Sequence, residues 1–212
     1  VGLALSLVLV APLIKNSGEF IAKQIEYEKT QSLISEADRA FELIGRAIRM
    51  AGYRNIQTLL NSLSPNQKSV KSHENSFLEI NKKSGFHGSD SLSIRHELSA
   101  DVDFDCIGNV LTKDRTKNNL AMQGFLVDRQ AGVPKGKRVN GGSLICQSLD
   151  RQGRIQKTTL MNGVNGLFIE ELNAIEARSP QGQRLFKVKL QMTDGAKLNL
   201  DLERTFATRN LP

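Results

Sequence analysis

Hydrophobic positions divide the first 51 residues into an apolar run and an amphipathic stripe. Residues 1–14 carry no charge. In the stripe, apolar residues recur every three or four positions, as on one face of an α-helix: Ile34, Ala37, Phe41, Ile44, Ile48 and Ala51. The pattern predicts one long helix that ends near Ala51, where Gly52 supplies a left-handed stop. We expect the stripe to pack on the rest of the protein.

The apolar run predicts a membrane-anchoring helix that continues without a break into the stripe. Its members are Leu3, Leu5, Leu7, Leu9, Pro12 and Ile14, and Pro12 is expected to kink or loosen the helix. A spanning helix needs about 20 apolar residues, so this run indicates a span truncated at its start. No small-x-small cleavage site follows it, which argues against a signal peptide. An apolar core helix of a soluble protein is the alternative.

Alternating apolar and polar positions predict strands in the second half of the chain. Residues 89–98 alternate, with His96 on the inward parity as a structural histidine, and residues 123–129 and 141–149 form shorter candidates. The clearest pattern is a hairpin over residues 186–202, in which two alternating stretches flank a turn at Asp194-Gly195. Polar tracts at residues 62–76 and 112–119 predict loops.

One long helix followed by antiparallel strands predicts an α+β fold. We expect the apolar stripe to pack on the buried face of an antiparallel sheet, while the upstream half of the helix projects as a stalk. This arrangement divides the chain into an anchor and stalk, residues 1–33, and a globular head, residues 34–212, which includes the amphipathic half of the helix.

The basic residues lie mainly in the head. The formal net charge is +7, and residues 1–53 carry six basic and six acidic residues, so the excess belongs to the remainder of the chain. These basic residues are scattered, and no aromatic residues alternate with arginine as in many nucleic-acid-binding surfaces. A solvated basic surface is therefore favoured, with nucleic acid or anionic lipid as alternative partners.

The cysteines predict a disulfide. Cys106 and Cys146 are the two cysteines of the chain, and an even pair in an exported protein favours pairing. Two free buried thiols are the alternative. The histidines His73, His87 and His96 lie far from any metal-ligand spacing. We expect no metal and no cofactor.

Motifs of catalysis are missing from the sequence. It has no Gly-x-Ser-x-Gly, no His-Glu-x-x-His and no Walker loop. Asp101, Asp103 and Asp105 alternate but lack the glycine and terminal glutamate of an EF-hand, which favours a solvated loop over a calcium site. Asp90 could act as a base, but no partner can be named for it. We expect no enzymatic activity.

Several segments resemble the PilW-type minor pilins of type IV pili, in the same order along the chain. They correspond to the end of the family's first helix, a strand entry, the two cysteine segments, the approach to a central strand and the C-terminal end: LIGRAIRMAGYRN (43–55), GSDSLSIRH (88–96), DCIGNVL (105–111), SLIC (143–146), LMNGVNGL (160–167) and RTFATRNL (204–211). The family's prepilin cleavage site is not in this chain, and its aromatic-glycine pair after the central strand is absent.

The resemblance implies a type IV pilin-like fold and a structural role. Such a subunit primes pilus assembly and sits at or near the tip. Its implied partners are other minor pilins and the major pilin through helix packing, a tip adhesin, and the inner membrane before assembly. The head would lie in the periplasm first and on the extracellular pilus afterwards. The alternatives are a minor pseudopilin of type II secretion, an anchored periplasmic adhesion or binding domain, and a DNA-uptake pilin.

Overall fold

One α-helix and seven strands make up the part of the chain that the structure describes. The computed structural model describes residues 2–55, 77–99, 102–134, 136, 141–172 and 184–209, with side chains from residue 17 onward; the predicted loop at 62–76 lies outside these ranges. Helix α1 spans Gly2–Met50. The strands are β1 Leu78–Asn81, β2 Ser91–Glu97, β3 Leu120–Arg129, β4 Gly142–Leu149, β5 Ile155–Leu172, β6 Leu185–Thr193 and β7 Asn199–Ala207.

The strands form one antiparallel sheet in which each strand pairs with its neighbour in sequence, from β1 to β7. The structure confirms the predicted strands β2, β3 and β4 and the hairpin of β6 and β7, with Asp194 and Gly195 in its turn. The predicted loop at 112–119 contains only a short 3-10 turn at Lys113–Arg115. The sequence pattern did not predict β1 or β5.

Strand β5 bends the sheet into a curl. It has 18 residues, pairs with β4 through its first half and pairs with β6 through its second half. The pairing shifts three times along it, next to Leu160, Gly163 and Asn165. Each bulge adds a residue to one strand and increases the local twist. The bend brings both β2 and the β5–β7 half of the sheet into contact with α1.

This architecture corrects the expected fold class. The expectation was an α+β, type IV pilin-like fold whose long helix is part membrane anchor and part sheet-packing element. Instead, a curled seven-stranded antiparallel sheet dominates the structure and carries one N-terminal helix. Within the described residues, no stretch of α1 combines the length and the apolar character needed to cross a membrane.

The C-terminal half of α1 fills the curl of the sheet. Of the predicted stripe, Ala37, Phe41, Ile44, Ile48 and Ala51 are buried, whereas Ile34 is only half-buried. Leu33, Ala40 and Ala47 are also buried, so the packed face is wider than the predicted stripe. These side chains share one core with the inward residues of the sheet, among them Leu92, Phe125, Val188 and Leu190.

Gly52 ends the helix as predicted. Its φ is +73°, a left-handed conformation in which glycine has no side-chain penalty. The amide of Gly52 donates to the carbonyl of Arg95 at 3.1 Å, and the amide of Glu97 donates to the carbonyl of Tyr53 at 2.9 Å. The segment after the helix is thus fixed to the end of β2.

Gly45 allows β7 to approach the helix closely. A β-carbon built on Gly45 would lie 2.4 Å from Cε1 of Phe206. We expect Gly45→Ala to destabilise the head by about 1–3 kcal/mol through overpacking, although alanine gains about 1 kcal/mol of helix propensity over glycine.

Gly18→Ala is the matched control, because a β-carbon there would meet nothing within 4 Å. Urea unfolding should show a lower midpoint for Gly45→Ala alone. Equal midpoints for both variants would contradict the close contact.

Candidate assembly surface

The N-terminal part of α1 leaves the head and forms a stalk, which we define as residues 17–32. Its residues are exposed apart from Thr30, which is half-buried, and the first buried side chain is Leu33. At 1.5 Å per residue the stalk extends for about 24 Å. The α1 backbone also continues through Pro12. The side chains of Leu3, Leu5, Leu7, Leu9, Pro12 and Ile14 lie outside the described part.

Large apolar side chains are exposed on the stalk. Phe20 and Tyr27 are 69% and 64% exposed, and Ile21 and Ile25 also face solvent. Single exposed apolar residues are common on protein surfaces, but a group of four on two turns of one helix indicates a contact site. The sequence prediction of core-helix residues stopped at Ile14 and missed these four, although each is visible in the sequence as an apolar residue among charged ones.

The four residues lie on the side of α1 opposite the head. With about 100° per residue, the buried residues from Leu33 to Ala51 cover one side of the helix. Phe20 and Tyr27 project onto one flank of the opposite half of the helix and Ile21 and Ile25 onto the other flank, with Gln24 and Glu28 between them. The stalk positions in line with the buried side include Glu19, Lys23 and Glu26. The apolar side of the stalk therefore cannot fold back onto this sheet, and it is available to another molecule.

A disulfide joins the loop after β2 to the sheet. Cys106 and Cys146 are bonded, with their Cα atoms 6.1 Å apart, which confirms the predicted pair. Cys146 is fully buried and Cys106 nearly so. We call residues 102–111 the disulfide loop. It is closed by a bridge between Phe104 and Val110.

The two described aspartates of this loop accept hydrogen bonds from groups close to them in sequence. Asp105 accepts bonds from the amides of Ile107 and Asn109, at 2.9 and 2.8 Å, and from the side chain of Asn109. Asp103 accepts a bond from the amide of Ser99 at 2.7 Å. Asp101 lies outside the described residues. Among the residues whose positions are described, no cluster of His, Cys, Asp or Glu could hold a metal ion.

Asp90 closes the free edge of β5. β4 pairs with β5 only as far as Val164, so the next residues of β5 lack a strand on that side. The Asp90 carboxylate accepts bonds from the amides of Ile169 and Lys83 at 2.9 and 3.0 Å and from Lys82 Nζ at 3.0 Å. Its own amide donates to the carbonyl of Leu167 at 2.7 Å. These contacts hold the β1–β2 turn and the start of β2 against β5, and they give Asp90 a structural role.

The surroundings of Asp90 lower its pKa. Burial disfavours the charged carboxylate and would raise the pKa, but the bonds from Ile169, Lys83 and Lys82 outweigh burial and hold the pKa below its usual value. A carboxylate whose pKa is lower in the folded state stabilises the fold at pH values above its unfolded-state pKa. That unfolded-state pKa is about 3.9 for aspartate. That stabilisation is lost as the pH falls through the folded-state pKa.

We therefore expect Asp90→Asn to unfold at lower urea concentration than the wild type at neutral pH. The gap should shrink as the pH falls below about 4, because the wild-type carboxylate then protonates. The measurement is the urea midpoint of both proteins from pH 7 down to pH 3. A gap that does not change with pH would show that the charge of Asp90 contributes nothing.

Both described histidines, His87 and His96, are held by contacts with neighbouring groups. His96 is buried, with Nδ1 2.9 Å from the carbonyl of Glu97, and desolvation lowers its pKa. His87 Nδ1 lies 3.0 Å from Asn165 Oδ1, and its ring stacks on Phe86. His87 lines a shallow polar depression with Asn165, Thr193 and Asn199, which contains no pair of groups arranged as nucleophile and base.

Comparisons of the chain with protein-family models, curated proteins and solved structures found no match. The resemblance to PilW-type minor pilins thus remains a prediction from the quoted segments.

Proposed function

We propose that the protein is a minor pilin of a type IV pilus, a structural subunit without catalysis that enters a filament through its N-terminal helix. The observation that carries the proposal is the exposed apolar side of the stalk, formed by Phe20, Ile21, Ile25 and Tyr27. This side faces away from the subunit's own sheet. The segments that resemble PilW-type minor pilins, which occur in the same order along the chain, are the reason for proposing a type IV pilus as the assembly.

The stalk fits assembly with more than one neighbour. Complete burial of Phe20, Ile21 and Ile25 would contribute about 1.5–3 kcal/mol for each side chain. Association of two molecules costs about 4–15 kcal/mol in lost freedom and ordering. The net free energy of association through one such contact is therefore close to zero. Stable incorporation requires several helices around each stalk. Other minor pilins and the major pilin are the partners that we propose.

The head fits the role of a unit that stays folded while its stalk changes surroundings. The C-terminal half of α1 is buried in the curl, the disulfide ties the loop to β4, and Asp90 closes the edge of β5. None of these contacts involves the stalk. We propose that the head lies in the periplasm before assembly and on the extracellular pilus, at or near the tip, afterwards.

Piliation of complemented deletion strains tests the proposal. Deletion should reduce surface pili, and wild-type protein should restore them, whereas Ile21→Ser/Ile25→Ser should not. Ala22→Ser/Glu26→Ser is the matched control, because it places the same residues, four positions apart, on the side of the stalk in line with the head. We expect this control to restore pili. Equal restoration by both double variants would refute the assembly surface.

The same strains separate the alternatives. A deletion that leaves pili intact and blocks secretion of folded proteins would identify a pseudopilin of type II secretion. Intact mass of the full-length product, with and without prepilin peptidase, tests processing directly. We expect a cleaved and N-methylated terminus only when the peptidase is present. The same uncleaved mass in both strains would indicate an anchored periplasmic domain that never enters a filament.

A further inference from the structure

The head has two distinct ends along the axis of α1. At the end next to the stalk, Lys29 Nζ lies 3.9 Å from Asp194 Oδ2 in the turn between β6 and β7. At the other end, the residues after α1 bond to the last residues of β2. We call this second end, away from the stalk, the far end.

Strand pairing brings two loops to the far end. Glu97, the last residue of β2, pairs with Leu120, the first residue of β3, so the loop 112–119 lies there. The turn between β4 and β5 lies beside it, because a β-carbon on Gly153 would be 3.7 Å from the carbonyl oxygen of Thr116. The disulfide loop also leaves from and returns to this end, between Ser99 and Thr112.

Cationic side chains are exposed on these loops and the adjacent strand. Lys113, Lys117, Arg151 and Lys157 are exposed, and none of them forms an ion pair within 4.0 Å with any residue in the described ranges. Other cations of the head pair with carboxylates, as Lys187 does with Glu170 and Lys189 with Asp201, and Arg154 in the turn between β4 and β5 pairs with Asp150.

Arg115 fixes the cationic loop to the disulfide loop. Its side chain is only 16% exposed, and its Nη1 lies 3.9 Å from Asp105 Oδ2. This Nη1 is buried and makes no hydrogen bond. The backbone that carries Lys113 and Lys117 is therefore held in place on the head.

Exposed apolar side chains occur at the same end. Within the described part of the head, the large hydrophobic residues that are exposed are Val102, Phe104 and Val110 of the disulfide loop and Ile155 at the start of β5. Ile155 is 57% exposed and lies between Arg154 and Lys157 in sequence. Cations and exposed aliphatic side chains thus share one end of the head, and the opposite end shows no such combination among its described residues.

We propose that the far end of the head binds an anionic phospholipid surface. Lysine and arginine near such a surface strengthen binding about fivefold each, and exposed aliphatic side chains can enter the interface between headgroups and acyl chains. Nucleic acid fits less well, because three of the four exposed apolar side chains, Val102, Val110 and Ile155, are aliphatic, and Phe104 alone among them offers a planar surface for base stacking. This inference goes beyond the filament role and does not depend on it.

Co-sedimentation of the full chain with vesicles tests the inference. One set contains phosphatidylcholine alone, and the other contains about 30% phosphatidylglycerol, an anionic lipid. The readout is the ratio of binding to the two sets, because the apolar N-terminal run contributes to both. We expect the wild type to prefer the anionic vesicles at about 0.1 M salt and to lose that preference at about 1 M salt, where the Debye length falls to about 3 Å.

Two double variants make the same change of charge at opposite ends of the head. Lys117→Glu/Lys157→Glu should lower binding to the anionic vesicles about 25-fold or more. Lys83→Glu/Lys197→Glu, at the stalk end, should lower it much less. Ile155→Ser should weaken it severalfold without changing the salt dependence. Unfolding midpoints establish that all variants are folded.

Three outcomes would overturn the inference. The first is equal binding of the wild type to both vesicle sets. The second is an equal loss of binding in both double variants, which would reflect net charge rather than the far end. The third is tighter binding to duplex DNA than to anionic vesicles, lost in Lys117→Glu/Lys157→Glu, which would identify nucleic acid as the partner.

Discussion

Replacing Phe41 with alanine should lower the free energy of unfolding of the head by about 3–5 kcal/mol, as expected for a large buried aromatic residue. Phe41 is 1% exposed and lies in the middle of the buried half of α1. Its ring centroid is 6.3 Å from that of Phe206 on β7, and Arg204 lies above the ring. Alanine would leave a cavity between helix and sheet that the closely packed Gly45 region cannot fill by collapse.

Urea unfolding at neutral pH measures this effect, and Phe41→Leu is the control. Leucine keeps most of the volume, so its cost should be below about 1.5 kcal/mol if the core can repack. A loss of less than about 0.5 kcal/mol for alanine is the magnitude expected of a surface position. That result would mean that Phe41 does not pack on the sheet.

Removing the disulfide should have an effect of similar size. The bridge spans 40 residues of sequence, and the chain-entropy model gives about 4 kcal/mol for a loop of that length. Cys106→Ala/Cys146→Ala is the suitable variant, because alanine does not bury a hydroxyl at the enclosed position 146. We expect its urea midpoint to fall well below that of the oxidised wild type.

Reductant provides the internal control for this prediction. It should lower the midpoint of the wild type towards that of the double alanine variant and leave the variant unchanged. Tryptic digestion without reductant should yield a joined peptide pair that contains Cys106 and Cys146. Free thiols in freshly purified protein, or a midpoint that reductant does not change, would contradict the bridge.

The parts of the fold that follow a simple period could be predicted from the sequence. The stripe from Ala37 to Ala51 has helical spacing, and its residues are buried. β2 and the hairpin of β6 and β7 alternate regularly, and their inward residues are in the core. These elements have one buried face each, so burial imposes the period directly on the sequence.

Strand β5 could not be predicted because it has no constant period. Each bulge shifts the inward positions by one residue, and the segment from Leu160 to Leu167 contains three of them. Gly163 has a φ of +74°, and a β-carbon there would lie 2.6 Å from the carbonyl oxygen of Thr193. In the sequence, such glycines and asparagines indicate turns, whereas in the structure they curve a continuous strand.

The role of Asp90 and the apolar side of the stalk needed the three-dimensional arrangement. The partners of Asp90 include Ile169, 79 residues away, and nothing local in the sequence connects them. The stalk residues could have been placed by helical projection from the predicted stripe, but only the structure shows that burial begins at Leu33 and leaves them exposed.

The contact between Gly45 and Phe206 has a mechanical consequence. The ring of Phe206 occupies the space that a side chain at position 45 of α1 would fill. If tension on the stalk pulled α1 along its axis by one turn, Arg49 would have to pass that ring. The close contact between Gly45 and Phe206 therefore resists axial sliding of the helix. A pull on the stalk is transmitted to the β6–β7 hairpin before the core unfolds.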